Sequence, residues 1–237
     1  MRCGPAPWSV SVRPDYDLLI FDWDGTLADS IGRIVTSMNT AAERFGEAPR
    51  DEQAVKGIIG LALDEAILTL YPHLTPDQVI VFRQHYADVY VDLDQTPSPL
   101  FEGVVETLEA LRADGYRLAV ATGKARRGLD RVLRANGWED YFEMTRAADE
   151  TRGKPHPLML EQILAHCGVT AERALMIGDS TFDLLMARNA GMHSVAVGYG
   201  AMSLQALSEF GPQVCIERFS QLRTWLTHTE RFSIQGG

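Results

Sequence analysis

Long hydrophobic runs are missing from this chain of 237 residues. No apolar stretch approaches the ~20 residues that a membrane-spanning helix needs. The opening segment, Met1 to Pro14, holds three prolines and no apolar core, so it does not read as a signal peptide. Cysteine is scarce: Cys3, Cys167 and Cys215 are odd in number and follow no metal-ligand spacing. Cys167 and Cys215 read as small core residues, and a reducing cytoplasm is the expected location, with no membrane partner. Positive charge is in deficit, 22 Lys and Arg against 32 Asp and Glu for a net charge of −10. That balance argues against a nucleic-acid partner. Glycine signatures of nucleotide binding are absent too. Gly123-Lys124 lacks the preceding glycine spacing and following hydroxyl of a P-loop, and no Gly-x-Gly-x-x-Gly follows the first apolar run. The six histidines show no ligand spacing, and His156, set between prolines, reads as a helix-start or surface residue.

What remains is a chain with 46% hydrophobic residues, enough for a proper core. Its length suits one large domain or a domain carrying an insert. The most informative stretch is Phe21-Asp22-Trp23-Asp24-Gly25-Thr26-Leu27, where the run Leu18-Leu19-Ile20-Phe21 drives into two aspartates one residue apart. Carboxylates that close repel, so such a strand end calls for a positive partner. Mg²⁺, which takes carboxylate and carbonyl oxygens, is a simple one. The alternative is an acidic turn with Gly25 supplying backbone freedom.

Three later segments repeat the pattern of an apolar run ending in small or charged residues. Arg117 to Ala121 leads into Thr122-Gly123-Lys124, and Ala174 to Ile177 leads into Gly178-Asp179-Ser180-Thr181-Phe182-Asp183. Between them, Gly153-Lys154-Pro155-His156-Pro157 opens a predicted helix. In open parallel sheets ligands bind beyond the carboxyl ends of strands, so these segments can converge on one metal and one phosphate.

These four segments, in this order, resemble the motifs of the haloacid dehalogenase-like superfamily, its phosphoglycolate phosphatase-like branch in particular. Asp22 to Ser30 matches Asp-x-Asp-Gly-Thr-Leu-x-Asp-Ser throughout; Thr122, Lys154-Pro155 and Gly178 to Asp183 match the other three. The resemblance covers roughly residues 15 to 228. It implies an α/β fold, a Rossmann-like core with a parallel β-sheet between helices and an inserted α-helical cap.

Spacing along the chain agrees with an insert. About 90 residues separate the first strand end from the next convincing strand, whereas a crossover needs about a dozen or a little more. Ile31 to Phe45 carries apolar residues at helical spacing. Leu61 to Leu70 and Thr75 to Leu93 read as further helices, the second introduced by Thr75-Pro76-Asp77 as N-cap and first turn. The division expected is therefore a loose tail at 1–14, a core at 15–30 and 99–237, and a helical cap at 31–98. Further helices are expected at 128–136, 157–167, 182–190 and 219–227, a short strand at 142–145, and a frayed end over the last few residues.

The family pattern implies a Mg²⁺-dependent phosphatase acting on a small phosphorylated metabolite. Asp22 would be the nucleophile, forming an aspartyl-phosphate, and Asp24 the general acid and base. The resemblance assigns Mg²⁺ to Asp22, the Asp24 carbonyl and Asp179. Asp183 would act at one remove, through water or Lys154. Thr122 and the Gly123 N–H would bind phosphate, with Lys154 supplying fixed positive charge. Asp179 also suits the N-cap of the helix that follows it. Lys124, Arg126 and Arg127 read as solvated. Lys56, in a glycine-bearing break between cap helices, is a candidate for contacting a substrate carboxylate, or else a surface residue. Two alternatives stand beside hydrolysis. A β-phosphoglucomutase-like phosphotransferase also keeps both aspartates, although Gly178 before Asp179 favours a phosphatase. A non-catalytic phosphate-binding protein is the other, and the retention of Asp22, Asp24 and Lys154 weighs against it.

Overall fold

A computed structural model of the chain describes residues 15–92 and 98–227. The expected N-terminal tail, the last residue of the helix expected over Thr75 to Leu93, and the expected frayed C-terminus lie outside the described residues. Among the described residues six strands form one parallel sheet in the order β3-β2-β1-β4-β5-β6. They are β1 (Leu18–Phe21), β2 (Arg117–Ala121), β3 (Met144–Arg146), β4 (Ala174–Gly178), β5 (His193–Val197) and β6 (Val214–Ile216). The most apolar run takes the central place. Each β1 residue is fully buried, as a strand covered on both faces requires.

Side-chain alternation along β1 divides the core into two layers. Leu19 and Phe21 pack with Val104, Leu108 and Leu111 of α5 (Val104–Ala113) and with Leu222 of α10 (Gln221–Thr227). Leu129 and Leu133 of α6 (Arg126–Ala135) join that layer. Leu18 and Ile20 face the other way, against Met159 and Ile163 of α7 (Leu158–Cys167) and Met186 of α8 (Thr181–Asn189). The layering is helix, sheet, helix.

Between β1 and β2 the chain builds α1 (Ile31–Phe45), α2 (Glu52–Lys56), α3 (Leu63–Leu70) and α4 (Pro76–Asp92). These helices bury a cluster of their own around Met38, Val55, Ile67, Tyr71 and Phe82. At the start of α4 the Thr75 N–H donates to Gln78 Oε1 at 2.8 Å, a side chain reaching back to cap the helix.

Several boundaries differ from expectation. α2 is a short helix where a break was read; Asp51 caps it, accepting the Ala54 N–H at 2.7 Å. α3 begins at Leu63, not Leu61, because Gly60 holds φ at 106°. β3 is shifted to Met144–Arg146 because Phe142 is drawn into the core. α9 (Leu204–Ser208), capped by Ser203, was not foreseen. Among the described residues no helix is long and apolar enough to cross a membrane.

Candidate active site

The chain runs outward from β1 to one side for β2 and β3, then returns to the other for β4, so the sheet reverses order between β1 and β4. Crevices open at such points beyond the strand carboxyl ends. Asp22 follows β1, and Asp179 follows β4, whose Ile177 is registered against Phe21. Carboxylate oxygens of Asp22, Asp179 and Asp183 lie within 4.8 Å of one another.

Lys154 stands among these acids. Its Nζ donates to Asp22 Oδ1 at 2.7 Å and to Asp183 Oδ1 at 2.6 Å, with all three side chains enclosed. Asp183 is thus paired with Lys154. Its Oδ2 accepts the Ser180 hydroxyl at 2.6 Å and the Ser180 N–H at 3.1 Å. Ser180, not Asp179, is the N-cap of α8. Asp179 is otherwise engaged: Oδ1 accepts the Thr26 hydroxyl at 2.9 Å, and Oδ2 accepts the Ala201 N–H at 2.7 Å. The expected capping role of Asp179 is therefore incorrect, because its carboxylate turns back across the sheet rather than toward the helix.

Burial dominates the electrostatics. It pushes the Asp22 carboxyl up to about 7, with Asp183 and Asp24 adding to the rise against the pull of Lys154. Burial, then Asp22 and Asp183, raises Asp179 well above the carboxylate range. For Lys154 burial opposes the charge, but Asp183 and Asp22 together hold it above its ordinary value. Three carboxylates face one ammonium, an excess of negative charge that one divalent cation would neutralise. The donor set is all oxygen, and Asp22 Oδ2 makes no hydrogen bond to a described residue. This arrangement fits a hard cation such as Mg²⁺.

Asp24 is nearly buried, and its Oδ1 accepts the Ser30 hydroxyl at 2.6 Å. The same oxygen lies 2.9 Å from Lys124 Nζ. Lys124 is therefore not the solvated residue expected: its side chain is only 10% exposed, pairs with Asp24 and donates to Tyr90 Oη of α4 at 3.3 Å. Burial disfavours its charge, yet Asp24 and Tyr90 hold it above the usual lysine value. Gly25 sits between these elements with φ at 81°, and a Cβ there would come within 2.1 Å of Asp179 Oδ2. Only glycine fits that turn.

Thr122 follows β2 and is fully buried; its hydroxyl accepts the Lys124 N–H at 3.2 Å. Gly123 meets the cap. A Cβ there would lie 2.7 Å from the Gly60 carbonyl oxygen and 2.8 Å from that of Leu61. The loop between α2 and α3 thus descends onto the core. Lys56 does not accompany it: its ammonium pairs with Glu52 at 2.6 Å within α2, and it does not line the cavity below. Arg126 is held by Glu150 and Asp130, whereas Arg127 is exposed.

Between core and cap lies a cavity of roughly 830 Å³ whose lining includes Asp22, Asp24, Gly123 and Lys124. Thr122, Lys154, Asp179 and Asp183 are set behind that lining. Sequence reasoning missed Thr26, Ser30, Lys124 and the Ala201 amide as partners of the acids. Thr26 and Ser30 lie inside the first motif and were open to discovery there. The Ala201 N–H carries no sequence signal.

Comparison with known proteins agrees with this geometry. Residues 19–197 match the family described as haloacid dehalogenase-like hydrolase. The chain is 37% identical over 211 residues to the "Probable phosphatase IndB" of Dickeya dadantii, covering 86% of this chain and 91% of that protein. It is 31% identical over 218 residues to the phosphoglycolate phosphatase of Colwellia psychrerythraea, covering 87% and 95% respectively. Among solved structures, a hydrolase from Pseudomonas syringae superposes with a TM-score of 0.81 at 24% identity, covering 89% of this chain and 97% of that one.

Proposed function

Because the chain belongs to the haloacid dehalogenase-like hydrolase family, we propose that it is a Mg²⁺-dependent phosphomonoester hydrolase, similar to phosphoglycolate phosphatases, that works through an aspartyl-phosphate. The observation that carries this reading is the enclosed set of Asp22, Asp179, Asp183 and Lys154 beside the cavity floor.

Asp22 Oδ2 attacks phosphorus as the ester P–O bond breaks, leaving the phosphoryl group on Asp22. Asp24, entering this step protonated, gives its proton to the departing alkoxide oxygen. Water then attacks phosphorus, Asp24 takes a proton from it, and the P–O bond to Asp22 breaks to release inorganic phosphate. Lys154 keeps Asp22 aimed by its hydrogen bond to Oδ1. Thr122 and the Gly123 N–H are assigned to the phosphoryl oxygens at the end of β2. Mg²⁺, held by Asp22, the Asp24 carbonyl and Asp179, would supply positive charge to those oxygens. The helical segment 31–98 is assigned as a cap over the core at 15–30 and 99–237, excluding water from the step. The expected location remains the cytoplasm.

A panel of phosphomonoesters assayed for Mg²⁺-dependent phosphate release, with Asp22→Asn as control, tests the reading. Release that the substitution abolishes supports it. Absence of release from every compound overturns it.

A further inference from the structure

The cavity above Asp22 and Asp24 is much larger than a phosphoryl group needs. Its roughly 830 Å³ lies in the range of sites that enclose a drug-sized ligand. A glycolate leaving group, a short chain ending in a carboxylate, would fill a small part of it.

The chemistry of the walls narrows the choice. On the cap side Ile34, Met38, Ile58, Ile59 and Ala66 line the cavity, and all five are buried. A second carboxylate placed among them would be stripped of water and set close to the acids of the floor, an unfavourable combination. Lys56, a candidate for contacting a substrate carboxylate, is paired with Glu52 and does not line the space. Lys124, which does line it, is paired with Asp24, and the other cations of the lining are the arginines Arg44, Arg127 and Arg131.

Two aromatic rings stand on the same cap helix. Tyr86 and Tyr90 are one turn apart on α4, both line the cavity, and their centroids are 5.7 Å apart at 30° between planes. The Arg131 guanidinium approaches the Tyr90 ring at 5.7 Å. The Tyr86 hydroxyl makes no hydrogen bond to a described residue. Arg127 also lines the cavity, and it makes no ion pair with a described residue. A flat ring can lie against such a pair, and polar groups at its edge can meet the tyrosine hydroxyl and the arginine.

We propose that the leaving group is a bulky alcohol bearing a flat ring, of nucleoside monophosphate size, with the ring seated against Tyr86 and Tyr90. This deepens the phosphatase reading and rests on it. The bond broken is the same P–O ester bond, and the nucleoside departs with the proton from Asp24.

The test compares kcat/KM with Mg²⁺ for uridine and adenosine monophosphates, ribose-5-phosphate, phosphoglycolate and para-nitrophenyl phosphate. Nucleotides are expected to lead ribose-5-phosphate by about tenfold or more, the scale of one stacked base. Tyr86→Ala should collapse that ratio, and Tyr86→Phe, which keeps the ring, should retain it. Phosphoglycolate or ribose-5-phosphate equalling the nucleotides would overturn the inference while leaving the phosphatase reading intact. So would a nucleotide preference that persists in both Tyr86→Ala and Tyr90→Ala. Failure of the wild-type protein to release phosphate from any compound, para-nitrophenyl phosphate included, would instead overturn the phosphatase reading itself.

Discussion

Lys124 Nζ stands 2.9 Å from Asp24 Oδ1, the oxygen that also accepts the Ser30 hydroxyl. Because Lys124 donates in turn to Tyr90 Oη on α4, one lysine ties the proposed proton donor to a helix of the cap. Asp24 Oδ2, the oxygen left without a hydrogen bond to a described residue, is where the transferred proton is expected to reside.

Replacing that lysine should therefore impair chemistry more than binding. Lys124→Met is expected to lower kcat by about tenfold to a hundredfold, within reach of what a misplaced general acid costs. Tyr90→Phe, which removes only the hydroxyl, should have a smaller effect on the same assay. Steady-state phosphate release, with a thermal melt to verify folding, checks both.

Lys154 carries a different burden. It is enclosed between Asp22 and Asp183, and removing one partner from a buried ion cluster costs about 3–5 kcal/mol. Lys154→Met should unfold at markedly lower denaturant concentration in chelator, and added Mg²⁺ should recover part of the loss. Equal stability of mutant and wild type in chelator would contradict the burial-driven account.

The metal-free protein should respond to pH in a defined direction. Asp22 is raised by burial to about 7, so between the unfolded carboxyl value near 4 and about 7 the folded state holds the extra proton. Its contribution is most favourable at the acid end of that window and is lost as pH rises through 7. Mg²⁺ needs the ionised carboxylate. The rise in melting temperature on adding Mg²⁺ is therefore predicted to be larger at pH 8 than at pH 6. Asp179→Asn should reduce the shift at both.

The contact between Gly123 and the loop carbonyls of Gly60 and Leu61 leaves no space for a side chain. Gly123→Ala should force the loop off the core and lower kcat/KM by about tenfold to a hundredfold, the scale that small displacements of reacting groups produce. Limited proteolysis within residues 57–61 should become faster.

Much of this site was legible because charge and hydrophobicity change abruptly at strand ends. The apolar run Leu18 to Phe21 predicted a buried strand, and the acids after it called for a positive partner; both follow from local chemistry. The family match extended this to Lys154, whose pairing with Asp22 and Asp183 spans 132 and 29 residues of sequence. Lys124 was misread because its surroundings in sequence, Arg126 and Arg127, look like a solvated basic face; its low exposure depends on Tyr90, 34 residues away. Of the two readings open for Lys56, the pair with Glu52 one turn before it on α2 favours the surface residue, and that pair depends on a short helix the sequence did not reveal. Asp179 was given a cap that Ser180 provides, since either residue satisfies the local pattern and only the Thr26 and Ala201 contacts decide. The cavity walls were the least legible part, because α1, α3 and α4 contribute to them only after folding.

The central claim is that Asp22 carries the phosphoryl group. Acid-quenched turnover in the presence of Mg²⁺, followed by mass spectrometry of the peptide containing Asp22, tests it most directly. The account predicts a phosphoryl adduct on Asp22 that appears within one turnover, decays as phosphate is released, and is absent in Asp22→Asn. Wild-type release of phosphate by Asp22→Asn, or an adduct located on another residue, would contradict it.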